Sequence, residues 1–195
     1  MVTLRAPSSL PTTEPSPSIP PPTLQWLSGP WNVTHSTLPM WKKNRNVVIT
    51  YTPIPSTSSP QLDDVVTYQP ISSSSTKTVR GVDKPFSVPN TAEGGEGGRA
   101  SLAYNWRGKG WLMIASSKWE ILAYSDEEGT ENAYVVTFFA KTLFTPAGVD
   151  VYSRKGILKA ETVEAIKAGL AGLGGQVAQL AAGLFEVSMD EERKA

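Results

Sequence analysis

Three side chains near the two ends of the chain could together transfer protons: His35, Asp150 and Tyr152. Side chains repeat with period two along a strand, so His35 points to the same side as Trp31. Asp150 and Tyr152 likewise point to the same side as Arg154. If Trp31 and Arg154 face each other on neighbouring antiparallel strands, the same register places His35 opposite Asp150. A histidine beside a carboxylate in a low-dielectric interior can hold and move a proton, with Tyr152 nearby as a hydrogen-bond donor.

The same pair also has a purely structural interpretation. Histidine and aspartate can simply satisfy each other as buried polar groups, and a shift of one residue in register would turn Asp150 to the surface. Glu120 is a second candidate acid, although Trp119 and Ile121 on either side of it compete for the inward positions. The sequence therefore leaves catalysis, ligand orientation and a structural role open for these groups.

Alternation along the other strands predicts a largely apolar interior with several hydroxyl groups. The inward aromatic and hydroxyl side chains are the predicted ligand contacts: Tyr51, Tyr68, Tyr104, Trp106, Thr137 and Phe139. Loops at one end add apolar side chains that are costly to expose unless they gate a cavity: Met40, Trp41, Trp111, Met113 and Phe144. This composition suits a hydrophobic small molecule with a few oxygens. Complete filling of the interior by side chains is the alternative.

The composition disfavours several classes of function. Lys plus Arg and Asp plus Glu number 18 each among 195 residues, so no net field attracts nucleic acid or an anionic membrane surface. The chain has no cysteine and one histidine, which argues against a metal site, and it carries no cofactor-binding motif. No apolar run has the length of a membrane span, and the first residues lack the apolar core of a secretory signal. A cytoplasmic protein without a cofactor is expected.

The elements that must position these residues are short strands. Segments rich in Val, Thr and aromatic residues, separated by turn residues, predict strands at about 30–36, 46–53, 63–69, 77–83, 100–107, 118–125, 133–141 and 148–154. Because no long helix separates them, they favour an all-β fold with C-terminal helices, in which the sheet is an eight-stranded antiparallel up-and-down β-barrel. Closure of such a sheet removes its exposed edges.

Three regions follow from this organisation. Residues 1–22 are rich in Pro, Ser and Thr and are predicted to form a disordered tail. Residues 23–173 contain the barrel and a helix at 160–173, whose apolar side chains recur at helical spacing. Residues 174–195 begin with two glycines and continue as a second amphipathic helix and a charged tail. The apolar stripe of this second helix predicts packing on the barrel, a homodimer contact or a partner groove.

These features resemble the lipocalin family of the calycin superfamily over roughly residues 27–173. Gly29-Pro30-Trp31 is similar to the Gly-x-Trp motif of the family's first strand, and Ser153-Arg154 to the last-strand arginine that packs across that tryptophan. Segments 79–83, 100–106 and 119–124 follow the order of the family's fourth to sixth strands. Without a signal peptide or disulfides, the chain is most similar to the intracellular lipocalin-like proteins of filamentous fungi.

The resemblance implies a barrel that binds one hydrophobic small molecule in its interior, with Trp31 and Arg154 closing the base. A second hypothesis is a cofactor-independent cyclase or isomerase of secondary metabolism, such as a pericyclase, acting on a terpenoid or polyketide in the same cavity. In that enzyme His35, Asp150 or a tyrosine moves a proton, or the cavity only enforces shape. A third hypothesis is a protein-interaction module that uses the C-terminal helix.

Overall fold

Antiparallel strands dominate the computed structural model, which describes residues 2–10, 17–55, 60–89 and 98–194. The strands are β1 (Gly29–Ser36), β2 (Asn44–Ile54), β3 (Gln61–Pro70), β4 (Lys77–Pro85), β5 (Ala103–Gly108), β6 (Ser116–Asp126), β7 (Ala133–Phe139), β8 (Gly148–Ser153) and the short β9 (Phe185–Glu186). The α-helices are α1 (Leu24–Leu27), α2 (Ala160–Gly172) and α3 (Gly175–Ala181). Short 3₁₀ turns lie at Pro39–Lys43, Gly110–Leu112 and Glu191–Arg193.

The sheet closes into a barrel because β1 pairs with both β2 and β8. The order of the strands is β2-β3-β4-β5-β6-β7-β8-β1, and the additional pairing of β1 with β2 completes the circle. Every neighbouring pair is antiparallel, as an up-and-down connection of short loops requires. The predicted eight-stranded antiparallel barrel is therefore confirmed, and each predicted strand overlaps one of β1 to β8.

A β-bulge in β1 determines which of its side chains face the interior. Val33 pairs with Tyr152, as the sequence predicts, but Ser36 rather than His35 pairs with Asp150. Two residues of β1 thus oppose one residue of β8 within the bulge, and side chains beyond it change face. The next inward position after Val33 consequently belongs to Ser36.

The C-terminal segment packs on the outside of the barrel. Apolar side chains of α2 and α3 are buried against the outer faces of β6, β7 and β8: Val163, Ile166, Leu170, Val177 and Ala181. The second helix is shorter than predicted, because α3 ends at Ala181 and residues 185–186 form β9, which pairs with the end of β1. Of the apolar stripe on which the homodimer and partner predictions depend, Val177 and Ala181 are buried within this chain, and Leu180, Leu184 and Phe185 are half-buried. Within the described residues, no helix combines the length and apolar character needed to cross a bilayer.

The first residues do not form the disordered tail that the sequence predicts for 1–22, in the part that the structure describes. Leu4 is buried beside α2, where a Cβ added to Gly169 would lie 2.2 Å from its Cδ1 atom. Arg5 is also buried, and its Nη2 atom lies 2.6 Å from Oε2 of Glu120. The burial of Leu4 and the ion pair of Arg5 offset the entropy cost of ordering this segment. The composition of the segment does not predict either contact.

The proline-rich residues 17–22 are held through their carbonyl groups. The hydroxyl of Tyr124 donates to the carbonyl oxygen of Pro20 at 2.9 Å, and Nη1 of Arg99 donates to that of Pro21 at 2.7 Å. Proline lacks an N–H donor, but its carbonyl still accepts. A composition rich in Pro, Ser and Thr predicts disorder, but the carbonyl groups of Pro20 and Pro21 attach the segment to the barrel.

Candidate ligand-binding site

Trp31 and Arg154 close one end of the barrel. The guanidinium carbon of Arg154 lies 3.6 Å from the centroid of the Trp31 ring, a cation–π contact. Nη1 of Arg154 donates to the carbonyl oxygen of Pro30 at 2.8 Å, and Nη2 donates to that of Trp26. The indole N–H of Trp31 donates to the carbonyl oxygen of Leu27 at 2.7 Å. The contact expected from the two motifs is thus present, and it forms the floor of the barrel.

Above this floor the interior contains a cavity of about 200 Å³. Its wall is mostly apolar and is formed by Leu38, Met40, Trp41, Ile49, Tyr51, Asp64, Val66, Tyr68, Val79, Trp106, Ser117, Trp119, Phe139, Thr145 and Asp150. Met40, whose side chain is 49% exposed, marks the edge of the cavity at the end opposite to the floor. Side chains therefore do not fill the interior completely.

Six of the predicted ligand contacts lie on this wall: Tyr51, Tyr68, Trp106, Phe139, Met40 and Trp41. Period two along the strands places the first four of them, whereas the last two come from the connection between β1 and β2. The rings of Trp41 and Tyr68 meet edge to face with their centroids 5.6 Å apart. Aromatic side chains thus surround the mouth as well as the deeper part of the cavity.

Two other predicted contacts are buried but do not reach the cavity. The ring of Tyr104 stacks on that of Trp119 at 4.8 Å, and its hydroxyl accepts the backbone N–H of Ser101 at 2.8 Å. Thr137 donates through its hydroxyl to the carbonyl oxygen of Asp150 at 3.4 Å. Both residues support side chains of the wall and do not themselves form it.

The prediction is wrong for Met113 and Phe144 as parts of the cavity. Their side chains are 61% and 73% exposed, and Phe144 lies in an outer groove beside Lys118. Period two applies only within strands, and the turn before Thr145 is held by its own bonds, including Thr142 Oγ1 accepting from the Phe144 N–H at 3.1 Å. The side chain of the fifth predicted rim residue, Trp111, lies outside the described residues.

The predicted pair of His35 and Asp150 does not form. The bulge in β1 places His35 on the outer face, half-buried, with its Nδ1 atom 3.1 Å from Oγ1 of Thr34. The pKa of His35 is lowered, chiefly by burial, while the negative charge of Glu186 opposes this effect. A single inserted residue is the physical reason for the difference, and the period of the strand gives no sign of it.

Asp150 nevertheless faces the cavity, with other partners. Its Oδ1 atom accepts the hydroxyl of Ser36 at 2.5 Å, and its Oδ2 atom accepts the indole N–H of Trp41 at 3.4 Å. Burial raises the pKa of Asp150 to about 7, although both hydrogen bonds act in the opposite direction. Tyr152 is completely buried, and burial followed by the charge of Asp150 raises its pKa. Of the predicted trio, Asp150 has both access to the cavity and a pKa suited to proton transfer near neutrality.

A pair of carboxyl groups that was not predicted from the sequence, Asp64 and Asp83, lies within the barrel. Asp64 on β3 lines the cavity, and Asp83 on β4 accepts the indole N–H of Trp119 at 2.8 Å. Burial raises the pKa of Asp64 to about 7, with a hydrogen bond to Asp83 opposing this and the charge of Asp63 adding to it. Burial, then the charge of Asp64, raises the pKa of Asp83 well above its usual range. A hydrogen bond between two carboxyl groups needs a proton, so the pair retains at least one in part.

The sequence does contain a signal for this acid pair. Tyr68 is predicted to point inward, and four residues earlier the same period of two reaches Asp64. On β4 the period that includes Val79 reaches Asp83 in the same way. Asp64 and Asp83 are missed when only apolar or aromatic residues are considered as inward positions. A carboxyl group on an apolar wall is uncommon, and it therefore indicates a candidate functional residue.

Glu120, the other candidate acid, is on the outer face of the barrel. Trp119 and Ile121 take the inward positions on either side of it. Its Oε2 atom pairs with Arg5, and its Oε1 atom accepts the hydroxyl of Ser8 at 2.8 Å. Glu120 therefore fixes the N-terminal segment and has no access to the cavity.

The overall arrangement is similar to solved structures of low sequence identity. Lobster apocrustacyanin A1 is 12% identical, with a TM-score of 0.54 over 85% of this chain and 78% of that one. Insecticyanin from the tobacco hornworm Manduca sexta is 12% identical, with a TM-score of 0.54 over 91% of this chain and 88% of that one. The siderocalin Ex-FABP, which functions through dual ligand specificities, is 12% identical, with a TM-score of 0.52 over 84% of this chain and 94% of that one.

No protein-family model and no curated protein matches the sequence. The structural neighbours are members of the lipocalin and calycin group, and the likeness covers the barrel and most of its surroundings. At this identity it establishes the lipocalin fold. Fold alone does not determine what the interior holds, so the chemistry must come from the cavity itself.

Proposed function

We propose that this chain binds one compact, largely apolar small molecule inside its barrel. The observation that carries the proposal is the cavity of about 200 Å³, closed below by Trp31 and Arg154 and walled by aromatic side chains. An interior that only stabilised the fold would be filled, because an apolar void costs stability in proportion to its volume. Ligand binding by the siderocalin, which shares the fold, supports the same conclusion.

The dimensions and chemistry of the wall restrict the ligand. Drug-sized ligands occupy pockets of roughly 300–1,000 Å³, so a cavity of about 200 Å³ suits a smaller molecule, with one or two rings. Its polar groups are few and lie at separate points, among them Asp64, Ser117 and Asp150. The ligand is therefore expected to be mainly hydrocarbon, with polar atoms at the positions where these groups meet it.

The binding proposal is tested with a fluorescent apolar probe of suitable size, 1-aminonaphthalene, displaced by propylbenzene. The unaltered chain is expected to enhance the emission of the probe with a stoichiometry of about one. Val66→Phe places a larger side chain in the cavity and is expected to weaken binding at least about tenfold through overpacking. Val65→Phe is the matched control, because Val65 is half-buried and points away from the interior.

The outcomes of this test are distinct. Loss of binding in Val66→Phe alone, with both variants folded, places the probe in the barrel. Equal loss in both variants, or no loss in either, would show that the probe binds elsewhere and would contradict the proposal. Circular dichroism in the far and near ultraviolet establishes that each variant keeps its fold.

A second candidate function is a cofactor-independent cyclase or isomerase acting on a terpenoid or polyketide in the same cavity. The specific observation in its favour is that Asp64 and Asp150 both line the cavity and both have their pKa raised by burial to about 7. A carboxyl with such a pKa can donate or accept a proton near neutral pH. His35 has no part in this version, because it lies outside the barrel.

The two candidates are separated by what the chain does to the molecule that it retains. Extraction of purified protein and mass spectrometry would identify a retained ligand, which is then returned to fresh protein. An unchanged ligand at one equivalent supports binding alone. Accumulation of an isomeric product, lost in Asp150→Asn and retained in His35→Ala, would support the enzyme.

A further inference from the structure

We propose that the cavity selects a compact organic cation, an ammonium group on an apolar body, with Asp64 as its counter-ion. The inference rests on the proposed binding function and deepens it by naming the class of ligand. It depends on three features of the interior: the excess of carboxyl groups, the position of Asp64 on the cavity wall, and the aromatic rings around that residue.

The interior contains carboxyl groups without balancing cations. Asp64, Asp83 and Asp150 are all buried within the barrel. None of the ion pairs found among the described residues involves any of the three, since these pairs lie on the outer face, at the rim or on the exposed helices. Arg154 is part of the floor, where it stacks on Trp31 and donates to backbone carbonyl groups. Buried carboxyls of this kind either hold protons or await a positive partner.

The side chain of Asp64 lies on the cavity wall, and the residue is only 5% exposed. Oδ1 of Asp64 and Oδ2 of Asp83 are fully buried, and among the described residues no N–H or hydroxyl group donates to either atom. The proton shared by the two carboxyl groups is what stabilises the pair. An ammonium group that enters beside Asp64 can replace this proton, because it supplies both hydrogen-bond donors and a positive charge.

Aromatic rings flank Asp64 on both neighbouring strands. On β2 its register partner is Tyr51, whose ring stacks on that of Trp119 at 5.4 Å. On β4 its partner is Gly81, and the indole of Trp106 occupies the space that a side chain there would take, 2.1 Å from an added Cβ. A cation held at Asp64 would therefore lie among π faces, which attract ammonium groups more strongly when water is excluded.

Other charged ligands fit this site less well. An anion would be repelled by the carboxylates. A metal ion would need several ligating groups together, and no group of three or more such side chains occurs in the part of the chain that the structure describes. A neutral ligand would leave the shared proton in place and would gain no attraction from a carboxylate charge. The organic cation complements both the carboxyl pair and the aromatic surroundings.

The test compares three probes of closely related shape: phenethylamine, propylbenzene and 3-phenylpropionate. Isothermal titration calorimetry near neutral pH is expected to show at least about tenfold tighter binding of the amine than of propylbenzene, and no binding of the acid. Asp64→Asn is expected to remove the preference for the amine and to retain propylbenzene binding. Asp63→Asn is the matched control, because Asp63 pairs with Lys109 on the outer face.

A second measurement begins with the unaltered chain. Displacement of the proton by the ammonium group releases it to solvent, so titrations in buffers of different ionisation enthalpy should show up to about one proton released per amine bound. The titratable groups around Asp64 are Asp83, Asp63 on the outer face, Asp150 across the cavity, and the tyrosines Tyr51 and Tyr152, which remain protonated at neutral pH because their pKa values are raised. Proton release that is lost in Asp64→Asn and retained in Asp150→Asn therefore comes from the Asp64 and Asp83 pair.

The outcomes separate this inference from the binding proposal. Equal affinities for amine and propylbenzene, or tight binding of the amine without proton release, would overturn the cation inference and leave the binding proposal intact. Failure of all three probes and of 1-aminonaphthalene would overturn both. If Asp64→Asn does not fold, the selectivity and the proton release of the unaltered chain still decide the matter.

Discussion

The indole N–H of Trp119 donates to Oδ1 of Asp83 at 2.8 Å, and both side chains are buried. This bond joins β6 to β4 across the interior, over the intervening β5. The rings of Tyr51 and Tyr104 stack on the same indole at 5.4 Å and 4.8 Å. The acid pair is thus attached to a rigid aromatic stack, and the polar end of the cavity is fixed before a ligand enters. Preorganisation of this kind reduces the entropy cost of binding.

The buried carboxyls predict how stability depends on pH. The pKa of Asp150 is about 7 in the folded chain, whereas an exposed aspartate has one of about 4. The folded state therefore binds the proton more tightly, so this contribution is complete below about pH 4 and is lost as the pH rises through about 7. Asp150→Asn removes the contribution. The variant is expected to lose less stability than the unaltered chain between about pH 4 and pH 8, by up to a few kcal/mol.

Urea unfolding followed by tryptophan fluorescence over that pH range measures the difference. Glu192→Gln serves as the control, because Glu192 is exposed and its removal should leave the dependence of stability on pH unchanged. His35 has a lowered pKa and contributes with the opposite sign, but it does so equally in all three proteins. If the free energy of unfolding depends on pH in the same way in Asp150→Asn and in the unaltered chain, folding does not raise the pKa of Asp150.

The floor of the barrel should depend on the guanidinium of Arg154. Arg154→Met keeps the apolar stem but loses the cation–π contact with Trp31 and two hydrogen bonds to carbonyl groups. Because Arg154 is half-buried, the expected loss in the free energy of unfolding is about 1–2 kcal/mol. Arg107→Met removes an exposed guanidinium that bonds one carbonyl group, and it should cost clearly less. Equal losses in urea unfolding would argue against a special role for the floor.

Local patterns in the sequence predict most of the barrel, because strands and turns depend on neighbouring residues. Period two and the turn residues place all eight strands, and the motifs around Trp31 and Arg154 indicate where the sheet closes. The bulge in β1 is different, since it depends on how β1 fits between β8 and β2. One extra residue there moves His35 out of the site and brings Ser36 in.

Long-range pairing of polar groups is also hidden from local patterns. Arg5 and Glu120 are far apart in sequence, and nothing near either residue predicts their contact. The Asp64 and Asp83 pair depends on two strands aligning in a particular register. The period of each strand shows that these aspartates point inward, but only the fold shows that they meet.

The ion pair of Arg5 and Glu120 should anchor the N-terminal segment. Arg5→Met leaves the Glu120 carboxylate buried without its cation, and breaking a buried pair in this way costs about 3–5 kcal/mol. Glu120→Gln in the same background should restore part of the stability, because a neutral amide is less costly to bury. A double-mutant cycle measured by urea unfolding gives the coupling between the two residues.

The exposed pair of Lys155 and Glu131 provides the comparison for this cycle. Lys155→Met should leave the unfolding midpoint nearly unchanged, because water screens an exposed pair. Limited proteolysis near Ser8 should become faster in Arg5→Met and not in Lys155→Met. If the two variants behave alike, the N-terminal segment is attached by Leu4 and not by the ion pair.

Gly81→Ala should damage the cavity through Trp106. A Cβ at position 81 would lie 2.1 Å from the indole Nε1 atom and 2.3 Å from Cε2, so the ring must move. Overpacking of this kind costs about 1–3 kcal/mol, and the displaced indole also changes the wall of the cavity beside Asp64. We therefore expect lower stability, a shift in tryptophan emission and weaker binding of phenethylamine and propylbenzene. Gly172→Ala is the control, because a Cβ added at this end of α2 would have no atom within 4 Å. This variant should keep its stability, its tryptophan emission and its affinity for both probes. Unaltered probe affinity in a destabilised Gly81→Ala would show that the Trp106 ring is not part of the binding surface.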